Sequence, residues 1–173
     1  CGAAAPELPV RLAALLHDIG KPACVAENGN MHDHARIGAP MAKAALEALR
    51  YPYGIVDKVT ALVREHMYDI QGQAKEGTLR VRFATWGREL TRQLILLREA
   101  DIIGCGYDPP EYQHTRWRQL YETMLADGTP FSTEELAVNG GDIMAALGIG
   151  PGERVGQIKR RMFRHCARHP KDN

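Results

Sequence analysis

Apolar positions recur along the chain at helical spacing, and the strict alternation of a half-buried strand is nearly absent. The pattern predicts a first helix from about Pro9 to Ile19, stopped by Gly20, which lets the chain turn sharply, and by Pro22. A polar loop over 27–33 leads to a second helix, about His34 to Leu49. A third begins near Pro52 and runs to about Met67, followed by a Gly- and Gln-rich loop over 68–78. A short helix over Arg80–Trp86 and a longer one over Glu89–Ile103 come next, then a break over 104–110. Another helix is expected from Glu111 to Ala126, ended by Asp127-Gly128. Ser132 reads as an N-cap with Glu135 in capping-box position. A short helix over Asp142–Leu147 follows, and Gly150-Pro151-Gly152 opens a last helix to about His169. The expected fold class is all-α: a helical bundle over 1–104 and a small helical C-terminal extension over 105–173.

Several polar residues interrupt the apolar stripes. Val59, Leu62, Val63 and His66 fall at i, i+3, i+4 and i+7, so His66 shares the core-facing stripe of its helix. His34, Ile37 and Met41 stand in the same relation, and Leu90, Leu94, Leu97 and Asp101 fall at i, i+4, i+7 and i+11. Ala13, Leu16 and His17 share a face, with Asp18 beside His17. A single buried histidine is ordinarily a satisfied core residue, and Asp101 alone could be an ion-pair partner of Arg98. Five such groups on four helices can instead satisfy one another by converging on a cation, since burying them unpaired costs several kcal/mol. Imidazole with carboxylate suits Zn, Mn, Fe, Co or Ni, and Mg where carboxylate and water dominate. Lys21 projects beside the His17-Asp18 pair, where an ammonium could hold a phosphate oxygen.

The 173 residues suffice for one domain or two small ones with a real core. A 45% apolar and 25% charged composition excludes disordered, collagen-like and fibrous classes. The net charge of +1 excludes a uniformly basic coat or an acidic tail, but it is unevenly spread. Residues 153–173 hold 7 Lys/Arg against 2 Asp/Glu, whereas residues 80–152 hold 7 against 10. No stretch approaches eighteen apolar residues, so no membrane span is expected. Cys1, Cys24, Cys105 and Cys166 form no C-x-x-C pair, and a cytoplasmic location is the expectation. A chain that begins at Cys1 reads as processed, trimmed or cut from something longer.

These residues resemble the HD-domain superfamily of metal-dependent phosphohydrolases. That family combines a His, an adjacent His-Asp and a distant Asp, often with two further His between. His17-Asp18 matches the doublet, His34 and His66 the additional histidines and Asp101 the last Asp. LLHDIGKP, HDHARIGAPMAKAAL, VREHMYD and LLREADIIG are similar to the HD-containing C-terminal portion of bacterial CCA-adding tRNA nucleotidyltransferases and poly(A) polymerases, and the tail LAVNGGDIMAALGIGPGERVGQIKRRM is similar to their last helical segment. Two departures stand out. No His precedes His17, and the Gly-Ser loop and paired aspartates of a nucleotidyltransferase head are absent. Either an upstream segment that carries this His is missing or the metal site is incomplete, and a cut at the start is the expectation.

The resemblance implies that His17, Asp18 and Asp101 hold a divalent metal. His34 and His66 then bind a second ion or hold phosphate and assist proton transfer, and Lys21 stabilises phosphoryl charge. Asp18, Lys21, His34 and His66 are the expected catalytic residues, acting on phosphomonoesters, 2′,3′-cyclic nucleotides or an RNA end. A non-catalytic tRNA-binding body and a stand-alone nucleotidase are the alternatives. In the tail, Gly150 and Gly152 open a helix N-terminus suited to phosphate, and Arg154, Lys159, Arg160, Arg161 and Arg164 could track an RNA backbone; a solvated basic face is the plainer alternative. Arg80, Arg82, Arg88 and Arg92 are a second candidate contact surface, for which a solvated face is the favoured reading. Trp86, Trp117, Tyr112 and Tyr121 read as core or interface.

Overall fold

The computed structural model of the chain describes Gly2, residues 6–106 and residues 114–173, and among these every regular element is helical. The helices are α1 (Leu8–Leu16), α2 (Lys21–Asn28), α3 (His34–Ala48), α4 (Tyr53–Glu65), α5 (Glu76–Gly104), α6 (His114–Ala126), α7 (Gly140–Leu147) and α8 (Glu153–Arg168). Short 3₁₀ turns lie at Thr133–Glu135 and Pro170–Asp172. The chain divides into two compact units. The first comprises residues 1–72 and 92–117, the second residues 73–91 and 118–173.

In the first unit α3 packs on α4 and α2, and α1 packs on α4. The close fit follows from small residues on α3: Ala35, Gly38, Ala39 and Ala42 are buried, while Val56, Val59, Leu62 and Val63 of α4 are fully covered. Each buried Val or Leu side chain contributes about 1.5–3 kcal/mol of burial. The covered face of α3 therefore runs through His34, Gly38 and Ala42. The expected His34–Ile37–Met41 face is corrected at its far end, because Met41 is exposed. On α5, Leu94 and Leu97 are buried, as the stripe ending at Asp101 requires.

The second unit is built around Leu79, Phe83, Met124, Phe131, Ile143 and Phe163. Gly87, at φ 79 and ψ 169, breaks α5 between the two helices expected over 80–86 and 89–103. Across the break the Thr91 hydroxyl donates to the Phe83 carbonyl (3.0 Å). Arg80 is buried, not solvated as expected. Its guanidinium donates to Asp127, to the Thr129 hydroxyl (2.7 Å) and to the Ala167 carbonyl (2.9 Å). Arg88 is paired with Glu135, and in the first unit Arg92 forms a two-pronged pair with Glu7. Arg88 and Arg92 stay exposed, as expected, while Arg80 is built into the core of its unit.

Two local expectations shift. The first helix stops at Leu16, and the chain turns through 17–20 into α2, a helix the sequence reading took as part of a helix end and loop. Ser132 does cap the turn at Thr133–Glu135, but Glu135 accepts from the Phe131 amide and not from Ser132. The reciprocal capping box lies at Asn139 and Asp142, which starts α7 two residues earlier than expected. Residues 107–113, with Tyr112, lie outside the described residues. Trp117 is buried as expected, and Trp86 and Tyr121 are partly covered.

Candidate metal centre

Gly20 sets the geometry of the site. Its φ of −80 is open to any residue, so the sharp turn expected of it is not the reason for glycine. What requires glycine is the approach of α3: a Cβ there would meet the His34 carbonyl oxygen at 2.2 Å and the Gly38 amide nitrogen at 2.6 Å. This contact lays the turn after α1 directly on the first turn of α3, and so brings the His17-Asp18 doublet to His34.

Four segments then converge. His17 is the C-cap of α1, Asp18 lies in the turn before α2, His34 opens α3, His66 is the C-cap of α4 and Asp101 lies near the end of α5. His17 Nε2 lies 3.3 Å from Asp18 Oδ2 and 3.4 Å from Asp101 Oδ1. His34 Nε2 lies 3.3 Å from Asp18 Oδ1 and 3.1 Å from His66 Nε2. The His66 ring stands edge-on to His17, with centroids 5.2 Å apart, and tilted to His34 at 5.1 Å. Asp18, His34 and His66 each offer a ligand atom within 4.8 Å of the others. All five expected ligands are thus brought together in the first unit.

The imidazole orientations share one cause. Each Nδ1 is within hydrogen-bond distance of the carbonyl three residues earlier: His17 to Ala14 (3.0 Å), His34 to Met31 (2.6 Å) and His66 to Val63 (2.8 Å). A carbonyl only accepts, so each Nδ1 carries the proton and each Nε2 turns its lone pair to the centre of the cluster. Two such lone pairs 3.1 Å apart, on His34 and His66, repel unless a cation lies between them. Three inward imidazole nitrogens with two carboxylates therefore fit a divalent metal ion, and the donors present make up a possible His/Asp metal-binding group.

Charge states follow from the same contacts. Burial pushes His66 down to about 4, leaving a neutral ring at pH 7. In its protonated form the His17 ring donates to Asp101 through Nε2, and this bond, aided by the Asp18 charge, holds His17 above its ordinary value despite burial, whereas the neutral ring offers that Nε2 lone pair instead. The same bond holds Asp101 below the usual carboxylate range. Lys21 Nζ donates to Asp18 Oδ2 at 2.6 Å, so in this state the ammonium holds the doublet's carboxylate. The imidazole side of the cluster is covered, with the His34 side chain 4% exposed, and the carboxylate side is open, with Asp18 at 39% and Asp101 at 41%.

Arg98 is not the ion-pair partner of Asp101 considered from the sequence. It is buried one turn before Asp101, donates to the Tyr68 carbonyl at 2.6 Å and lies 4.0 Å over the Trp117 ring. It ties the segment after His66 to the helix that carries Asp101. The sequence reading missed this role, for which an arginine directly after the apolar run 94–97 was the available signal.

In the second unit Gly150, Gly152, Arg154, Arg160, Arg161 and Arg164 are exposed, and Lys159 approaches Glu134 at 3.8 Å. Gly152 is the N-cap of α8, and Glu153 places a carboxylate in the first turn. No helix among the described residues is long and apolar enough to cross a membrane.

The HD domain family model matches residues 1–104. The chain is 35% identical over 91% of its length to a CC-adding tRNA nucleotidyltransferase of Thermus thermophilus, covering 36% of that protein. It is 34% identical over 89% of its length to an A-adding tRNA nucleotidyltransferase of Deinococcus radiodurans, again covering 36%. A Multifunctional CCA protein of Ralstonia nicotianae is 30% identical over 87% of the chain, with 37% of its own length covered. The chain thus spans little more than a third of these relatives. No solved structure matches it at a significant level.

Proposed function

Because the chain belongs to the HD domain family, we propose that its first unit is a metal-dependent phosphohydrolase domain of a tRNA nucleotidyltransferase-like protein, acting on phosphomonoesters or 2′,3′-cyclic nucleotides. The observation that carries this reading is the cluster of three imidazoles, each fixed by a backbone carbonyl with Nε2 inward, facing two carboxylates. His17, Asp18, His34, His66 and Asp101 are the ligands on this reading. Three imidazoles suit Mn, Fe, Co, Ni or Zn better than Mg. A bound divalent cation supplies Lewis-acid polarisation of a phosphoryl oxygen.

The chain's own residues do the rest. The open carboxylate side, with Asp18 and Asp101 part-exposed, is where a phosphate ester enters. Lys21, released from Asp18 or shared with it, places an ammonium against the phosphoryl charge. His66 is neutral at pH 7, and because the Val63 carbonyl holds its Nδ1 proton, its Nε2 serves either as a ligand or, unligated, as a proton acceptor, not as both. The test is metal analysis with turnover of bis(p-nitrophenyl) phosphate and 2′,3′-cyclic AMP. Stoichiometric cation, and activity lost in Asp18→Ala, is expected. Less than stoichiometric cation with no activity sinks the hydrolytic reading.

A second reading, a non-catalytic tRNA-binding body, is favoured by the tail. The relatives are tRNA nucleotidyltransferases, and α8 presents Arg154, Arg160, Arg161 and Arg164 to solvent, with Lys159 part-covered and Gly150 and Gly152 at its start. Salt-dependent tRNA binding, weakened in Arg160→Ala/Arg161→Ala, supports it; binding unchanged by those substitutions removes the tail from RNA recognition.

A further inference from the structure

The second unit, which holds none of the metal-centre residues, contains a cavity of about 320 Å³. Its wall is apolar: Phe131, Phe163 and Ala84 are each at least nine-tenths buried. Its polar lining joins two cations, Arg160 and Arg164 one turn apart on α8, to the hydroxyl residues Thr85, Ser132 and Thr133. Like charges at i, i+4 repel each other. Among the described residues neither guanidinium has an ion-pair or hydrogen-bond partner, whereas Lys159 on the same helix has Glu134 and Arg88 nearby has Glu135. Ser132 adds a third donor to the lining. Its oxygen accepts from the Glu134 amide at 3.3 Å, which leaves its own proton to be given away.

Two uncompensated guanidinia and a free hydroxyl proton around an apolar wall make a set of donors without an anionic partner. A phosphate group supplies acceptors for all three, and Arg matches its oxygens in two-pronged geometry. The volume lies at the small end of the range for ligand pockets, which admits a phosphate and a ring-sized organic group. We propose that this cavity binds an organic phosphate of nucleotide type, its phosphate on Arg160, Arg164 and Ser132 and its organic part against Phe163 and Ala84. The nucleotide is either free or part of an RNA strand. The site shares two arginines with the RNA-binding reading of α8, and the experiment separates the two.

The probes are AMP, inorganic phosphate and a short single-stranded RNA, titrated calorimetrically into the whole chain in EDTA, so that the metal centre contributes nothing. AMP binding that falls at least tenfold in Arg160→Gln/Arg164→Gln, and falls in Ser132→Ala, is the expected result. The charge-matched Arg168→Gln/Lys171→Gln should leave it unchanged. RNA that competes with AMP and binds more tightly identifies the strand as the source; AMP binding without RNA competition identifies a free nucleotide and removes the RNA reading alone. AMP affinity untouched by the double substitution, or lost equally in the charge-matched control, overturns the site. RNA binding with no AMP binding overturns the pocket and leaves the RNA reading standing. Phosphate binding as tight as AMP overturns the role of the apolar wall. Circular dichroism confirms folding of each variant, and the exposure of both arginines makes loss of fold an unexpected outcome.

Discussion

Adding one methyl group at Gly20 should disable the metal centre without touching a ligand. The Cβ of Gly20→Ala would sit 2.2 Å from the His34 carbonyl oxygen, 2.6 Å from the Gly38 nitrogen and 2.8 Å from the Gly38 Cα. All three are backbone atoms, so no rotamer change relieves the clash. Ordinary contact requires about 3.4 Å, and the turn must therefore withdraw from α3 by about 1 Å. The struck carbonyl and amide are also the i, i+4 pair of the first turn of α3. Overpacking of this kind costs about 1–3 kcal/mol, and more where backbone must move. For a chain of this length 3 kcal/mol lowers the thermal midpoint by roughly 6–12 °C. The same displacement separates the doublet from His34, so Mn²⁺ affinity should fall more than the loss of stability alone explains. Gly54→Ala is the control: a Cβ there meets nothing within 4 Å, and alanine in a helix should stabilise by about 0.5–1 kcal/mol. Thermal and urea unfolding by circular dichroism, with Mn²⁺ titration, measures both. A Gly20→Ala protein within 0.5 kcal/mol of wild type, binding Mn²⁺ as before, refutes the close-approach argument.

Three further outcomes are expected. Mn²⁺ at one hundred times its dissociation constant should stabilise the protein by about 2.7 kcal/mol, reversed by EDTA, and His34→Ala should show neither effect in thermal melts. Arg80→Met should cost about 3 kcal/mol in urea unfolding, because it strips donors from the buried Ala167 carbonyl and from Asp127 and Thr129; Arg80→Lys, with one point charge, should recover less than half. Burial alone would raise Asp127, but the Thr129 hydroxyl and Arg80 outweigh it and hold the folded carboxyl below 3.8. The unfolded chain then protonates first as pH falls, so this contribution is complete above that value and is lost as pH drops through the folded one. Urea midpoints from about pH 6 to pH 2 should decline less steeply in Asp127→Asn than in wild type.

The clustering of the candidate ligands is legible in the sequence because polar residues interrupt apolar stripes. His66 after Val59, Leu62 and Val63, and Asp101 after Leu94 and Leu97, sit on core-facing stripes, and the structure brings both to the cluster, His66 against His34 and Asp101 half-exposed at its open side. What stayed hidden depends on contacts distant in sequence. Met41 shares a helical face with His34 on a wheel, yet the buried face follows Gly38 and Ala42, because small residues let α4 approach. Gly20 looked like a turn residue, since local reasoning offers only φ as a motive; the actual motive is a helix fourteen residues on. Arg88 and Arg92 are exposed as expected, whereas the burial of Arg80 was hidden because its partner Asp127 lies 47 positions away.

The three histidine–carbonyl bonds have a consequence for how the centre tolerates change. Each ring is tethered within its own stretch of chain, by an oxygen that every residue type supplies. Substituting Ala14, Met31 or Val63 alters the side chain there and leaves the tether. In metal sites whose imidazoles lean on carboxylates, the orienting partner is a side chain and is open to mutation. Here the aim of the three nitrogens is inherited from helix ends and a turn, so sequence drift around the ligands can retune burial and charge while the donor directions persist.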